Sequence, residues 1–495
     1  MFIEQLPIIN LLLFLAMALA IPLLRKKPFA VTLILGFLVL GIVMVSSGFL
    51  LWHVNEVGPI SYTFGGHEAR FGIEFLIDSF SALFTMIIVI LASIIYIYSS
   101  GDATEGIEKH EYGRYYILLF ILLMSMFGIL YTNDMFNTYV FIEILSITTC
   151  AIISIKKKKE TYMASFRYVM MNELGSMSYL FGVALLYMAT GYTNMTLIAE
   201  NIHAVYQSTP YNIIIALGFM IIGLGIKAAV FPFHIWLPDA HSAAPSTSSA
   251  LLSAVVIKVY ILILAKVLFR VFGVGILIDM HVSTILLIFA GSGMILGSIF
   301  AIAQKDVKRR LGYSSVAQMG YIVLGIGLLT DEGLRAAFFH ILSHGLMKTA
   351  LFLSVGEIIY YKKTRKVDDF DGMGFIMPVA MGVFSIAALG MIGMPLTSGF
   401  ISKLNLGMAS LDANQIIFLV ILIISSLLNV IYYLPIIILG FLKNEKYHYR
   451  MRSIEHTPKT MIFPLILLGV LIIGVGLFPN QIMVLIEAAV SSLMA

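Results

Sequence analysis

Five ionisable side chains stand in stretches that are otherwise apolar: Glu143 in FIEILSITT, Lys227 in GIKAAVF, Lys258 in SAVVIKVY, Lys348 in HGLMKTAL and Lys403 in GFISKLNL. A charged group at the centre of a bilayer is disfavoured by about 2.5 to 3.5 kcal/mol on insertion scales, so each needs a reason to be there, and the default reason is an ion pathway. His340, His344 and Lys348 recur every four residues and share one helical face. Histidine takes and releases a proton near neutral pH, so this stacked face suits a hydrated relay. Two histidines four apart also fit a metal pair, but no third ligand or HExxH pattern accompanies them, and no metal site is expected.

Lys227 and Lys258 bound the segment KAAVFPFHIWLPDAHSAAPSTSSALLSAVVIK, in which Pro232 breaks an apolar helix. His234, Asp239 and His241 inside the break are gating candidates; the alternative for the histidines is that they satisfy unwound backbone. Each of the other residues has a plainer reading as well. Glu143 can serve only to neutralise a lysine, Lys258 can be a capped structural charge, and Lys403 can snorkel outward from its helix end. Asp78 reads as a helix-entry or subunit-contact residue, and Glu173 as a second partner for a buried lysine.

The elements that must carry these residues follow from composition. Of 495 residues 60% are hydrophobic and 12% charged, with a mean hydropathy of +0.98. Such values lie far outside the soluble range. The chain is expected to be an all-α polytopic membrane protein. Apolar runs of about 18 to 28 residues are long enough to cross a bilayer. They fall near 6–24, 29–50, 73–98, 114–131, 134–155, 163–190, 211–231, 245–269, 282–302, 307–329, 334–360, 376–405, 415–441 and 460–485, which makes 14. The first run has no small-residue cleavage site, so it is read as a retained span. A single cysteine, Cys150, excludes an internal disulfide and any cysteine-built metal or iron–sulfur site. A net charge of +4 without a basic stripe excludes nucleic acid as a partner.

Most of the 31 lysines and arginines gather in the odd-numbered connections. These are Arg25 to Lys27; Lys109 and Arg114; Lys156 to Lys159; Lys305, Lys308, Arg309 and Arg310; Lys362, Lys363, Arg365 and Lys366; and Lys443, Lys446, Arg450, Arg452 and Lys459. The even-numbered connections hold only Arg70, Arg270 and Arg335, with Lys266 close by. By the positive-inside rule both termini are then non-cytoplasmic. Arg167, near a cytoplasmic helix end, can snorkel, which leaves the four apolar-context lysines inside.

Two spans carry helix breakers beside a lysine: Pro232 after Lys227, and Pro395 before Lys403 in GMIGMPLTSGFISK. Broken helices in corresponding positions mark inverted repeats in many transporters, and spans 4–8 and 9–13 supply five each. The PFHIWLPDAHSAAPSTSSALLSAVVIKVY run, the Glu143 helix, HILSHGLMK with ALFLSVGEI, and GMPLTSGFISK together resemble the proton-translocating antiporter-like family. That family comprises membrane subunits of Mrp-type cation/proton antiporters, respiratory complex I and membrane-bound hydrogenases.

The resemblance implies 14 helices in two inverted five-helix repeats with broken helices 7 and 12. It divides the chain into an N-terminal three-helix segment (1–113), the repeats (114–269 and 282–441) and a C-terminal helix (442–495). The family's helix 5 glutamate falls on Glu143, its helix 7 and 8 lysines on Lys227 and Lys258, and its helix 12 position on Lys403. A lysine there, and an ending soon after span 14, resemble the D-type members of the Mrp antiporters. The implied function is proton translocation along Glu143, Lys227, Lys258, His340, His344, Lys348 and Lys403 in a multisubunit Na+/H+ antiporter of a prokaryotic cell membrane. The alternative is an ion-pumping subunit of a membrane-bound hydrogenase or a complex I-like NADH/quinone oxidoreductase. Either implies ion movement rather than bond chemistry, no cofactor in this chain, and other membrane subunits, lipid, protons and Na+ as partners.

Overall fold

Long apolar runs punctuated by proline, glycine and capping residues fold into a stack of helices in the computed structural model, which describes residues 2–66, 72–101, 106–442 and 458–494. Arg70, Lys443, Lys446, Arg450 and Arg452 lie outside the described residues. The chain opens with α1 (Phe2–Leu23) and α2 (Phe29–Glu56). A short antiparallel hairpin follows, β1 (Ile60–Thr63) and β2 (Glu74–Ile77), with Ile60 opposite Ile77 and Thr63 opposite Glu74. α3 (Ser79–Ser99) starts at a reciprocal cap between Asp78 and Ser81, which satisfies two otherwise orphaned N–H groups. α4 (Tyr112–Tyr131) then leads to α5 (Met135–Ser154), capped by Asp134.

α6 (Lys159–Thr190), α7 (Met195–Ser208) and α8 (Pro210–Lys227) precede the first break, which contains the short α9 (Trp236–Ala243). One long helical rod then runs through α10 (Ser246–Leu251), α11 (Ile257–Lys266) and α12 (Gly273–Asp279), joined by π turns at Leu252–Val256 and Val267–Phe272. α13 (Val282–Ile302), α14 (Val307–Gly327) and α15 (Asp331–Lys362) follow. The second break separates α17 (Pro378–Ile392), preceded by the single turn α16 (Met373–Ile376), from α18 (Ser398–Asp412). α19 (Ile416–Phe441), α20 (Lys459–Leu477) and α21 (Pro479–Met494) complete the described chain.

Among the described residues twelve helical segments are long and apolar enough to cross a membrane, or thirteen when one bent pair before the second break is counted. α14 is outside that set because it opens on Lys308, Arg309 and Arg310 and carries Ser314, Ser315 and Gln318. α18 has 15 residues. At ~1.5 Å per residue it is about 22 Å long, short of a hydrocarbon core of ~30 Å. α15 sits at the centre, packed against α3, α10, α14, α17, α18, α20 and α21, and is almost wholly enclosed. α2 and α19 instead turn large side chains outward, among them Val45, Ile416 and Leu427, as lipid-facing helices do. Close helix approach depends on facing glycines, as small residues allow in membrane bundles. A Cβ on Gly223 would stand 2.6 Å from the Gly175 carbonyl, so α6 and α8 meet backbone to backbone.

Several boundaries differ from the sequence reading. The segment read as a loop near Asn201 holds α7, because Asn194 caps it and Met195, Ile198 and Ile202 form a buried stripe. The third span starts at Ser79 rather than 73, since Glu74–Ile77 pair as a strand. The last span ends at Leu477, where Pro479 starts the separate α21.

Candidate functional site

The first break falls directly after Lys227, the last residue of α8. Ala228 closes the helix, Ala229 adopts a left-handed φ of 54°, and Trp236 reaches back from α9 to donate its ring N–H to the Ile226 carbonyl at 2.9 Å. Lys227 thus stands at a helix end that another side chain has already sealed. Its ammonium, fully buried, donates to Ser146 Oγ at 2.6 Å and lies 3.8 Å from Glu143 Oε1, both on α5. The Tyr260 ring lies beneath it at 5.8 Å, and Glu173 on α6 is within electrostatic reach of the pair. Glu143 itself is 19% exposed on a flank of α5 where Phe136, Val140 and Ile147 also face outward.

At the second break the lysine follows the gap instead of preceding it. Lys403 on α18 reaches back to donate to the carbonyls of Met391 and Ile392, at 2.7 and 3.2 Å, and to Ser426 Oγ at 3.0 Å. Those carbonyls form the C-terminal end of α17, where the helix dipole concentrates negative potential, and that of Met391 also accepts from Asn429 Nδ2 at 3.0 Å. Gly393, at φ 97°, brings the backbone against the Lys403 stem: an added Cβ would stand 3.1 Å from Lys403 Cδ.

Between these poles α15 aligns its stacked face. His340 shares a hydrogen bond with Ser402 Oγ at 2.9 Å and lies between the Tyr321 ring, 5.4 Å away, and the His344 ring, 5.8 Å away and only 9° from parallel. Tyr321 in turn underlies Lys403 at 5.0 Å, so His344, His340, Tyr321 and Lys403 form a continuous column. Lys348 donates to the Leu311 carbonyl at 2.7 Å and to Ser314, while Lys258 donates to the Ser253 carbonyl of its own π turn. Among the described residues no hydrogen bond joins Lys258 to either histidine, although both lie within its electrostatic reach.

The gating candidates split. Asp239 is a true ionic node, taking Arg167 of α6 at 2.6 Å and Arg309 of α14 at 3.1 Å, beside a second pair between Arg365 and Asp306 at 3.3 Å. His234 instead stacks between Phe231 and Phe300, and His241 lies on Phe352 in full burial.

Sequence reasoning missed two lysines. Lys266 and Lys308, read as lying at the ends of spans, are fully buried. Lys266 donates to the Leu130 and Thr132 carbonyls at the end of α4, and Lys308 to the Ala244 carbonyl at the end of α9. The signal was present: Lys266 lies in YILILAKVLF, and Lys308 heads a helix that the first break must pack against. At the start of α3, Arg270 pairs with Asp78 and donates to the Ser492 carbonyl of α21 at 2.9 Å. Burial raises the Asp78 carboxyl, but the Arg270 and Lys266 charges outweigh it and hold the group below its ordinary value, as opposite charges close by do.

The arrangement can do one kind of chemistry: hold protons on aligned buried groups, with one lysine facing a carboxylate and the others facing backbone carbonyls and hydroxyls. Comparison with known proteins supplies the relatives of the chain. The family model "NADH:quinone oxidoreductase/Mrp antiporter, TM" matches residues 132–429, a segment that contains every proton-path candidate above. The chain is 36% identical to the N subunit of the NADH-quinone oxidoreductase of Desulforudis audaxviator, over 86% of each protein. It is 32% identical to the D subunit of the Na(+)/H(+) antiporter of Alkalihalophilus pseudofirmus, over 83% of this chain and 82% of that one. Among solved structures it is similar to a chain of the membrane-bound sulfane sulfur reductase, an archaeal respiratory membrane complex, with a TM-score of 0.90 at 28% identity over 99% and 98% of the two chains. The fold is also that of a chain in the Mrp complex of a Dietzia species, with a TM-score of 0.89 at 23% identity over 100% and 98%. The family match covers more than half of the sequence, and with these two relatives it means that the chain belongs to the NADH:quinone oxidoreductase/Mrp antiporter transmembrane family.

Proposed function

We propose that this chain moves protons through Glu143, Lys227, Lys258, His344, His340, Lys348 and Lys403 as a membrane subunit of a multisubunit Na+/H+ antiporter. The observation that carries the reading is the Lys227 environment. Its buried ammonium stands 3.8 Å from a carboxylate and 2.6 Å from a hydroxyl, so it can exchange one partner for the other. A charged partner that comes and goes shifts the proton affinity of the lysine each time, so a pair that opens and closes is a proton switch. The fourteen-helix plan with two inverted repeats (114–269 and 282–441) goes with this reading, because each repeat then contributes one broken helix and one lysine beside the break. So does an orientation with both termini outside.

Partner subunits are part of the proposal. The partly exposed Glu143 lies on an apolar flank, where a carboxylate is costly unless a neighbouring protein covers it. A second reading, the ion-pumping subunit of a redox-driven complex, is favoured by the 36% identity to an NADH-quinone oxidoreductase subunit and by the likeness to the sulfane sulfur reductase complex. Identifying by mass the subunits that copurify separates the two: small antiporter subunits support the first, and iron–sulfur or nickel-binding subunits the second.

Glu143→Ala and Lys227→Ala test the shared mechanism. Removing either member takes away the charged partner whose approach shifts the proton affinity of the lysine, or the lysine itself, so each variant is expected to lose proton-coupled transport in inverted vesicles while still assembling. Full transport in either variant removes the pair from the path.

A further inference from the structure

The first two helices and α4 line an open cavity of about 470 Å³ that none of the proton-path residues touches. Its walls are apolar, formed by Ile21, Leu24, Phe29 and Ile117, and Phe29 is braced against Tyr112 and Tyr116 at 5.9 and 5.7 Å. Its rim is basic: Arg25 and Lys27 from the turn between α1 and α2, and Lys109 from the 3-10 turn that precedes α4. Two further basic side chains of the rim are already engaged, since Arg114 and His110 contact Glu111 at 2.7 and 3.0 Å. Arg25, Lys27 and Lys109 pair with no carboxylate among the described residues.

A greasy trough beneath three unneutralised cations, at the level where two apolar helices end, has the chemistry of a lipid seat. We infer that this cavity binds one anionic phospholipid, its phosphate held by Arg25, Lys27 and Lys109 and the upper part of an acyl chain laid against Ile21, Phe29 and Ile117. Basic pockets between membrane helices recognise anionic headgroups through this pairing of charge and depth. A free phosphate would use the rim and leave the apolar walls without purpose. A partner protein would need an acidic segment entering a slot between three helices. The lipid satisfies both halves of the site, and would tie α1 and α2 to α4.

The test uses the assembled complex purified through this chain, with native mass spectrometry to count retained lipid after exchange into phosphatidylglycerol or phosphatidylcholine. Wild type is expected to retain one phosphatidylglycerol, and the triple variant Arg25→Gln, Lys27→Gln, Lys109→Gln to retain at least roughly tenfold less, since each cation near an anionic lipid contributes about fivefold. Equal unfolding temperatures of the two proteins in phosphatidylcholine establish that the variant is folded. Ile117→Trp, which fills the trough and leaves the rim intact, should also lower retention. Equal phosphatidylglycerol retention in the wild type and the triple variant overturns the proposal. So does displacement of the lipid by millimolar inorganic phosphate, which marks a free-anion site. Cross-linking of a photoreactive probe at Lys27→Cys to another subunit rather than to lipid also overturns it.

Discussion

At the first helix break the lysine ends the helix before the gap and faces a carboxylate; at the second it follows the gap and faces the carbonyl end of the preceding helix. The same problem, a cation inside a membrane protein, has been answered with a full charge in one place and with peptide dipoles in the other. A carboxylate can be protonated or swing aside, so the Lys227 environment can change without Lys227 changing. Peptide carbonyls can do neither, so among the groups that Lys403 hydrogen-bonds none titrates and the change of state falls to the lysine itself. Lys266 and Lys308, likewise seated on carbonyl ends of α4 and α9, belong to the second type. Lys266, Lys308 and Lys403 thus cap helix ends, Lys258 and Lys348 donate to carbonyls within helical segments, and Lys227 instead faces a carboxylate.

The sharpest way to break this contrast is at Lys403. Arginine keeps the charge but does not release a proton in proteins, so Lys403→Arg is expected to lower proton translocation nearly as far as Lys403→Ala, roughly to background, with the complex intact. Near-normal translocation by the arginine variant, measured with confirmed assembly, would leave Lys403 as a cap and confine titration to the first half.

A smaller effect is expected from glycine replacement at the two breaks. Gly393→Ala forces a side chain into a left-handed conformation that costs about 1 to 2 kcal/mol. It also pushes a methyl against the Lys403 stem, so transport should fall several-fold. Gly225→Ala at the first break meets only ordinary contacts with Phe233 and should leave transport unchanged. Equal effects of the two would mean that the backbone at the second break does not position Lys403.

Removing Ser426 should be milder still. Ser426→Ala takes one of three acceptors from Lys403 and leaves two carbonyls. The loss of one such hydrogen bond is worth about 0.5 to 1.5 kcal/mol. Ser146→Ala takes the shortest contact from Lys227 and leaves only the carboxylate. The second substitution should therefore alter the pH profile of transport, and the first only its rate. Matching pH profiles in vesicle assays would erase the distinction between the sites.

The least effect concerns stability at the start of α3. Arg270 and Lys266 hold the folded Asp78 carboxyl below its ordinary value. The stabilisation is complete above that ordinary value, about 4, and is lost as pH falls below it. The unfolding temperature of the complex should drop below about pH 4, and the drop should be shallower in Asp78→Asn. An identical acid response in the variant would show that this carboxylate is not coupled to folding.

What could be read from the sequence depended on whether the signal was local. An ionisable residue amid a long apolar run is conspicuous, so Glu143, Lys227, Lys258, Lys348 and Lys403 were legible, as were the i, i+4 histidines and both breaks. Lys308 was misread because it heads a run of three basic residues, which resembles a solvated turn until α9 is seen to pack across α14. Lys266 was misread because nearness to Arg270 in sequence suggested a helix end, whereas the helix continues through a π turn. The hairpin and α7 depend on pairing and packing with distant residues such as Thr132 and Asn133, which no short window contains. The ionic node at Asp239 joins three separate helices, so the sequence showed Asp239 as a gating candidate but not its arginine partners.

The enclosure of α15 has a consequence for how the protein is made. A helix with two histidines and a lysine on one face, and almost none of its surface turned outward in the folded protein, has those polar groups enclosed only by its neighbours. Its neighbours α17, α18 and α20 are all synthesised after it. During translation α15 therefore lacks part of its final surroundings until more than a hundred further residues have emerged to close around it. Chains that stop at Lys362 should leave this segment more open to protease, while chains that extend past α20 should protect it.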